Sequence, residues 1–165
     1  MNPPEHLLWQ WQDWTIGWSL SQSQSNSEVA VLLIHGFGAN TGHWRFNQQV
    51  LAELVPTYAI DLLGFGRSDQ PRARLKDEPN EPGAVHYGFD LWGQQVADFC
   101  KEVIGRPVLL VGNSIGGVVA LRAAQMLVTD PGKSSCKGVV LIDCAQRLMD
   151  DKQLASQPAW MAWIR

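Results

Sequence analysis

Residues 108–117, Val-Leu-Leu-Val-Gly-Asn-Ser-Ile-Gly-Gly, constrain the fold more than any other stretch of this chain. Val108 to Val111 predicts a short buried strand, and Val118 to Ala124 reads as a helix. Between them stands Gly112-Asn113-Ser114-Ile115-Gly116, a Gly-x-Ser-x-Gly pattern. Strand, pattern and helix together describe a sharp turn that lifts a serine out of a sheet and sets its backbone near a helix N-terminus. Side chains at Gly112 or Gly116 would collide with the adjoining strand and helix, which is why glycine is needed at both. Ser114 is therefore the candidate nucleophile.

A second pattern lies upstream. Val29 to Ile34 is another buried-strand run, and it ends in His35-Gly36-Phe37-Gly38. Attack by a serine on an acyl carbon creates an oxyanion that needs two hydrogen-bond donors. The expected donors are the N–H of Ile115, just after the nucleophile, and the N–H of Phe37 in the loop after the earlier strand. Gly36 and Gly38 let that backbone turn inward. His35 has the chemistry of a catalytic base, but its place at a strand end favours a structural role in holding the turn.

Three segments then stand in a telling order: His35-Gly36-Phe37-Gly38, Asp61-Leu62-Leu63-Gly64-Phe65-Gly66-Arg67-Ser68 and Gly112-Asn113-Ser114-Ile115-Gly116-Gly117. In wording, order and spacing they resemble the α/β-hydrolase family, from about Val29 to about Asp143. The stretch Leu110 to Gly117 also resembles the branch of pheophytinases and chlorophyll dephytylases. The resemblance implies a mostly parallel sheet with helices on both faces. It also implies a serine hydrolase that cleaves a carboxylic ester through an acyl-enzyme at Ser114, without cofactor or metal. Gly64 to Ser68 would be a structural loop beside the site. It is not a dinucleotide-binding loop, because the required third glycine is replaced by Asp69.

Composition narrows the partners. The chain has 165 residues, 45% hydrophobic and 18% charged, enough for one domain with a real core. A net charge of −3 with no Lys/Arg cluster argues against nucleic acid. The expected partner is a small-molecule ester. Cys100, Cys136 and Cys144 lack metal-type or CxxC spacing and read as reduced thiols. No secretory signal is visible at the N-terminus, so a cytoplasmic location is expected. No apolar run approaches the roughly 18 residues of a membrane span.

The remaining elements follow the same alternation. Trp9 to Trp11 and Thr15 to Leu20 predict a hairpin turning at Gln12-Asp13, its tryptophans serving packing. Trp44 to Leu54 reads as a helix carrying Phe46, Val50, Leu51 and Leu54, and Tyr58 to Ile60 as a strand ending at Asp61. Arg72 to Gly83 reads as a surface loop, Phe89 to Val103 as an amphipathic helix and Val139 to Asp143 as a further strand. Such alternation predicts a parallel sheet covered on both faces.

One requirement is unmet. A serine nucleophile needs a base, which an acid in turn orients. The family resemblance implies the chain order serine, acid, histidine. The four histidines, His6, His35, His43 and His86, all precede Ser114. Asp143 stands where some members of the family keep their acid. The expectation is a single α/β-hydrolase domain over 1–165 that is truncated at its C-terminal side, with 146–165 opening a helical lid. On that reading the last strand is an open edge inviting self-association, and the isolated chain is inactive. The alternative is a non-catalytic fragment or binding module that keeps the fold. Epoxide or haloalkane hydrolysis is disfavoured, since those reactions use a carboxylate where this elbow carries Ser114.

Overall fold

The computed structural model describes residues 3–75, 78, 79, 81–129 and 135–144. The chain opens with an antiparallel hairpin, β1 (Glu5–Trp11) and β2 (Trp14–Ser21), in the register Glu5 to Leu20 through Trp11 to Trp14. Its turn is made by Gln12 in the left-handed region, at φ +53°. There follow β3 (Ala30–Ile34), a 3₁₀ turn (Thr41–Trp44), α1 (Arg45–Leu51) and β4 (Thr57–Ile60). A two-residue pair, β5 (Arg72–Ala73) and β6 (Ala84–Val85), interrupts the segment expected to be plain loop. Next come α2 (Phe89–Phe99), continued by a π turn over Cys100–Ile104, then β7 (Val108–Asn113), α3 (Ile115–Thr129) and β8 (Cys136–Ile142).

The main sheet has the order β1-β2-β4-β3-β7-β8. Its β4, β3, β7 and β8 run parallel, and β2 joins them antiparallel through Trp18 to Ile60. Period-two alternation gives each apolar strand one residue for each face. Leu32, Ile34, Ile60 and Leu110 enter a core with Trp92, Val96, Phe99, Val119 and Ala123 of α2 and α3. Val31, Leu33, Ala59 and Val111 enter a second core against Trp44. Continuous apolar runs are what strands buried on both faces require. The hairpin tryptophans pack as expected: Trp9 and Trp18 meet Phe99 edge-on at 5.4 Å. The Trp11 indole N–H donates to Asp98 at 2.9 Å.

The two helices before β7 differ from the sequence reading, and β8 begins at Cys136 and not at Val139. α1 ends at Leu51, and Phe46, Val50 and Leu54 are exposed. The residue it buries is Gln48, whose amide accepts from the Ser19 hydroxyl and donates to the Thr57 carbonyl, both at 3.0 Å. That polar need, set by two strands, selected the buried face. The second helix reaches Ile104 through the π turn and stops at Gly105, where φ is +62° and the N–H donates to the Cys100 carbonyl. Among the described residues β8 is paired on one side only, and its Val140, Leu141 and Ile142 are exposed. The segment 146–165, expected to open a lid, lies outside the described residues.

Candidate active site

β3 and β7 are neighbours in register, with Ile34 opposite Gly112, so both strands leave the sheet at the same level. β7 then turns at Ser114, which stands at φ +54°. A non-glycine residue held in this region costs on the order of 1–3 kcal/mol and persists only where its surroundings fix it. The surroundings here are tight. The Ser114 N–H donates to the Ile142 carbonyl at 2.9 Å, and its carbonyl accepts from Gly117 at 3.0 Å. A Cβ on Gly112 would lie 2.2 Å from the Gly116 oxygen, and one on Gly116 would lie 2.5 Å from the carbonyls of Ile34 and His35. The two glycines thus let α3 start directly against β7 and β3.

The turn after β3 lies against this elbow. A Cβ on Gly36 would stand 3.2 Å from the Ser114 Cβ and 3.4 Å from the Asn113 carbonyl. The turn closes with the Ala39 N–H on the Gly36 carbonyl, and Gly38, at φ +69°, occupies the position that demands a left-handed residue. Phe37 sits in this turn beyond the end of the ladder, with its ring half exposed and edge-on to Phe65 at 5.5 Å. Ile115 is the first residue of α3, where a backbone N–H has no intrahelical acceptor.

His35 is fully buried and held at both ring nitrogens. The Leu62 N–H donates to Nε2 at 3.0 Å, so the proton is on Nδ1, which donates to the Gly36 carbonyl at 2.7 Å. Burial holds its pKa below the ordinary histidine value, against the smaller upward pulls of the Gly36 carbonyl and Asp61. Such a ring has no lone pair to offer a serine. It ties the turn after β3 to the start of the loop after β4.

Asp61 anchors that loop. Its buried carboxylate accepts from the N–H groups of Thr41 at 2.6 Å and Arg67 at 2.8 Å. Its carbonyl accepts from the Ser68 hydroxyl and the Gln95 amide. Ser68 in turn accepts from the Gly17 N–H, and the Asp69 carboxylate from the Thr15 N–H. The segment Asp61 to Asp69 is therefore bound to the hairpin, to the turn before α1 and to α2.

The structure adds one contact that spacing does not show. The Asn113 amide nitrogen lies 3.4 Å from His43 Nε2, so residues 70 apart in sequence meet beside Ser114. Asn113 stands inside the serine pattern, a signal the sequence did offer; His43 had none. His6 lies on the outer strand β1, and His86 Nδ1 is 3.4 Å from the Arg74 carbonyl. Asp143 ends β8, exposed, at φ +45°. Among the described residues no group of three His, Cys, Asp or Glu is arranged to hold a metal, and no helix is long and apolar enough to cross a membrane.

Comparison with known proteins places this geometry. The sequence model described as "Alpha/beta hydrolase family" matches residues 31–165. The chloroplastic pheophytinase of Arabidopsis thaliana is 36% identical over 133 residues, covering 69% of this chain and 26% of the relative. The (lyso)-N-acylphosphatidylethanolamine lipase of Homo sapiens is 28% identical over 149 residues, covering 87% of this chain and 40% of the relative. A bacterial membrane phospholipase A structure superposes with a TM-score of 0.68 at 29% identity, covering 88% of this chain and 41% of that one. The chain thus spans between about a quarter and two fifths of the length of these relatives. Haloalkane dehalogenase and epoxide hydrolase structures, at 16–17% identity, share the fold alone. With the ordered sheet, the elbow at Ser114 and a family match running from Val31 to Arg165, the chain belongs to the α/β-hydrolase family.

Proposed function

We propose that this chain carries the nucleophile and oxyanion half of a serine hydrolase that cleaves a carboxylic ester. The observation that carries the reading is Ser114 held at φ +54° between β7 and α3, with Gly36 packed against it. In the proposed reaction the Ser114 Oγ adds to the ester carbonyl. The N–H groups of Phe37 and Ile115 receive the oxyanion, and collapse expels the alcohol to leave an acyl-serine, which water then cleaves. A donor pair of this kind is worth on the order of 10²–10³ in turnover per donor. His35, Gly36, Gly112 and Gly116 act on the shape of the site. The base must accept the Oγ proton, and His35 is committed at both nitrogens. The relatives are considerably longer than this chain, which supports a base outside these 165 residues.

The test is covalent labelling with a short alkyl fluorophosphonate, read by intact mass, alongside hydrolysis of p-nitrophenyl acetate. The polypeptide with its acid–base groups present should be labelled at Ser114, and Ser114→Ala should abolish the label. The 165-residue chain alone should show negligible turnover. Labelling that survives Ser114→Ala refutes the nucleophile. Robust Ser114-dependent turnover by the 165-residue chain refutes the external base and turns attention to His43. The second reading, a binding module without chemistry, is favoured by the lack of any histidine after Ser114. It predicts no labelling in any context.

A further inference from the structure

At the end of the sheet where the parallel strands begin lies a cavity of about 610 Å³. Its place follows from the register. Ser21, which lines it, pairs with Thr57, the first residue of β4, whereas Ser114 follows the last residue of β7. The cavity and the elbow therefore stand at opposite ends of the sheet. Its size is ordinary for a small-molecule site, which runs from about 300 to 1,000 Å³.

One side of the cavity holds an orphaned hydroxyl. Residues two apart on a strand share a face, so Ser21 looks toward α1 as Ser19 does. Ser19 finds the Gln48 amide there, at 3.0 Å. One helical turn on from Gln48 stands Ala52, which also lines the cavity and has no polar group to offer. Ser21 is only 8% exposed, and its Oγ has no partner among the described residues. A buried polar group left in this way costs free energy that a hydrogen-bonding ligand recovers.

The remaining polar groups are amides and carboxylates. The loop after β2 uses its serines to hold its own shape. The Ser25 N–H donates to the Ser23 hydroxyl at 3.1 Å, and the Ser25 hydroxyl donates to the Leu54 carbonyl just beyond α1. Its glutamines, Gln22 and Gln24, line the cavity, together with Gln49 of α1. Glu5 of β1 and Glu53 after α1 add two carboxylates. Among the described residues neither carboxylate is in an ion pair, and no residue lining the cavity is basic. An anion here would meet two like charges and no counter-charge. A protonated amine brings only N–H donors, and every one of these polar groups can accept one. Leu20 and Ala52 give a short methylene stem apolar contact.

We propose that this cavity binds a small aliphatic diamine in its protonated form, held by the carboxylates of Glu5 and Glu53 and hydrogen-bonded to the Ser21 hydroxyl. The site is independent of what Ser114 does.

The 165-residue chain is titrated with putrescine, a protonated diaminobutane, and with butanediol, its uncharged counterpart. Binding is followed by calorimetry and by the NMR resonances of the Gln22, Gln24 and Gln49 side-chain amides. Putrescine should saturate with a Kd below about 1 mM and shift those amides, and the diol should do neither. Glu5→Gln combined with Glu53→Gln should weaken putrescine by at least about fourfold. Asp13→Asn combined with Glu28→Gln removes the same charge from exposed positions off the cavity and should leave the affinity unchanged. Ser21→Ala should weaken binding by about fivefold. Diol binding as tight as that of putrescine, equal weakening by the two double variants, an unchanged affinity in Ser21→Ala, or amide resonances that do not move would each overturn the proposal.

Discussion

Acidifying the solution should destabilise this fold through His35, and replacing His35 should remove that part of the pH dependence. The imidazole is fully buried, donates from Nδ1 to the Gly36 carbonyl and accepts at Nε2 from the Leu62 N–H. A second proton, on Nε2, would face a donor instead of an acceptor. Burial, the largest effect, lowers its pKa in the fold. In the unfolded chain the same ring takes its proton near pH 6.5. Below about pH 6.5 the unfolded state therefore binds more protons than the folded one, and stability falls as pH falls. The loss continues down to the lowered folded pKa and levels off beneath it. Its slope cannot exceed one proton, about 1.4 kcal/mol per pH unit. Above about pH 6.5 the contribution of neutral His35 is present in full. His35→Ala should itself cost about 1–3 kcal/mol for the orphaned Leu62 N–H, and more for the space vacated. Urea denaturation of both proteins from about pH 8 to about pH 5 measures the two slopes. Acid-side slopes that coincide in wild type and variant would refute the buried neutral ring.

Three other outcomes follow from close contacts. Gly116→Ala places a Cβ 2.5 Å from two backbone carbonyls that have no freedom to move, so it should cost about 1–3 kcal/mol or more by thermal unfolding. Gly105→Ala, at φ +62° in open space, should cost only about 1 kcal/mol, and an equal loss at both positions would contradict the packing argument. Asp61→Ala leaves the N–H groups of Thr41 and Arg67 without their acceptor and should cost about 2–6 kcal/mol in urea, at about 1–3 for each. The outer side of β8, unpaired among the described residues, should mediate self-association, and Val140→Lys should lower the sedimentation coefficient toward that of the single chain; no change would show that this edge is not the contact.

The elbow was legible because its chemistry is local. Gly112, Ser114 and Gly116 fall within five residues, and the steric demands on them come from the strand and helix they join. The apolar strands were legible for a similar reason: a strand buried on both faces has no polar position to spare, as Val31 to Ile34 shows. α1 was misread because its buried face answers a distant need. Gln48 satisfies Ser19 and Thr57, on strands that no helical periodicity can report, and Phe46 and Val50 face outward in consequence. The meeting of His43 with Asn113 was beyond reach for the same reason, as were the ring contacts of Phe37, Phe65 and Trp92, which come from three segments that the sheet order brings together. The π turn at Cys100–Ile104 left no trace, since the apolar spacing of α2 runs through it unbroken.

The division of labour within the site follows from what a buried parallel sheet does well. On the proposed reading the oxyanion donors are the backbone N–H groups of Phe37 and Ile115, and their positions follow once β3 and β7 lie in register and two turns leave the sheet side by side. Such donors need no titration and no reorganisation when charge develops. Proton transfer has the opposite requirements: the base must reach Ser114, keep a lone pair free, and gain and lose charge during turnover. His35 shows what the sheet does to a histidine placed at that level. Both nitrogens are consumed, and burial disfavours the cation that catalysis would require. Freeing Nε2 would orphan the Leu62 N–H and loosen the turn that aims Phe37. On the proposed reading, the residue that stiffens the turn carrying Phe37 is thereby disqualified as base, and the Ser114 proton goes to a group outside this network.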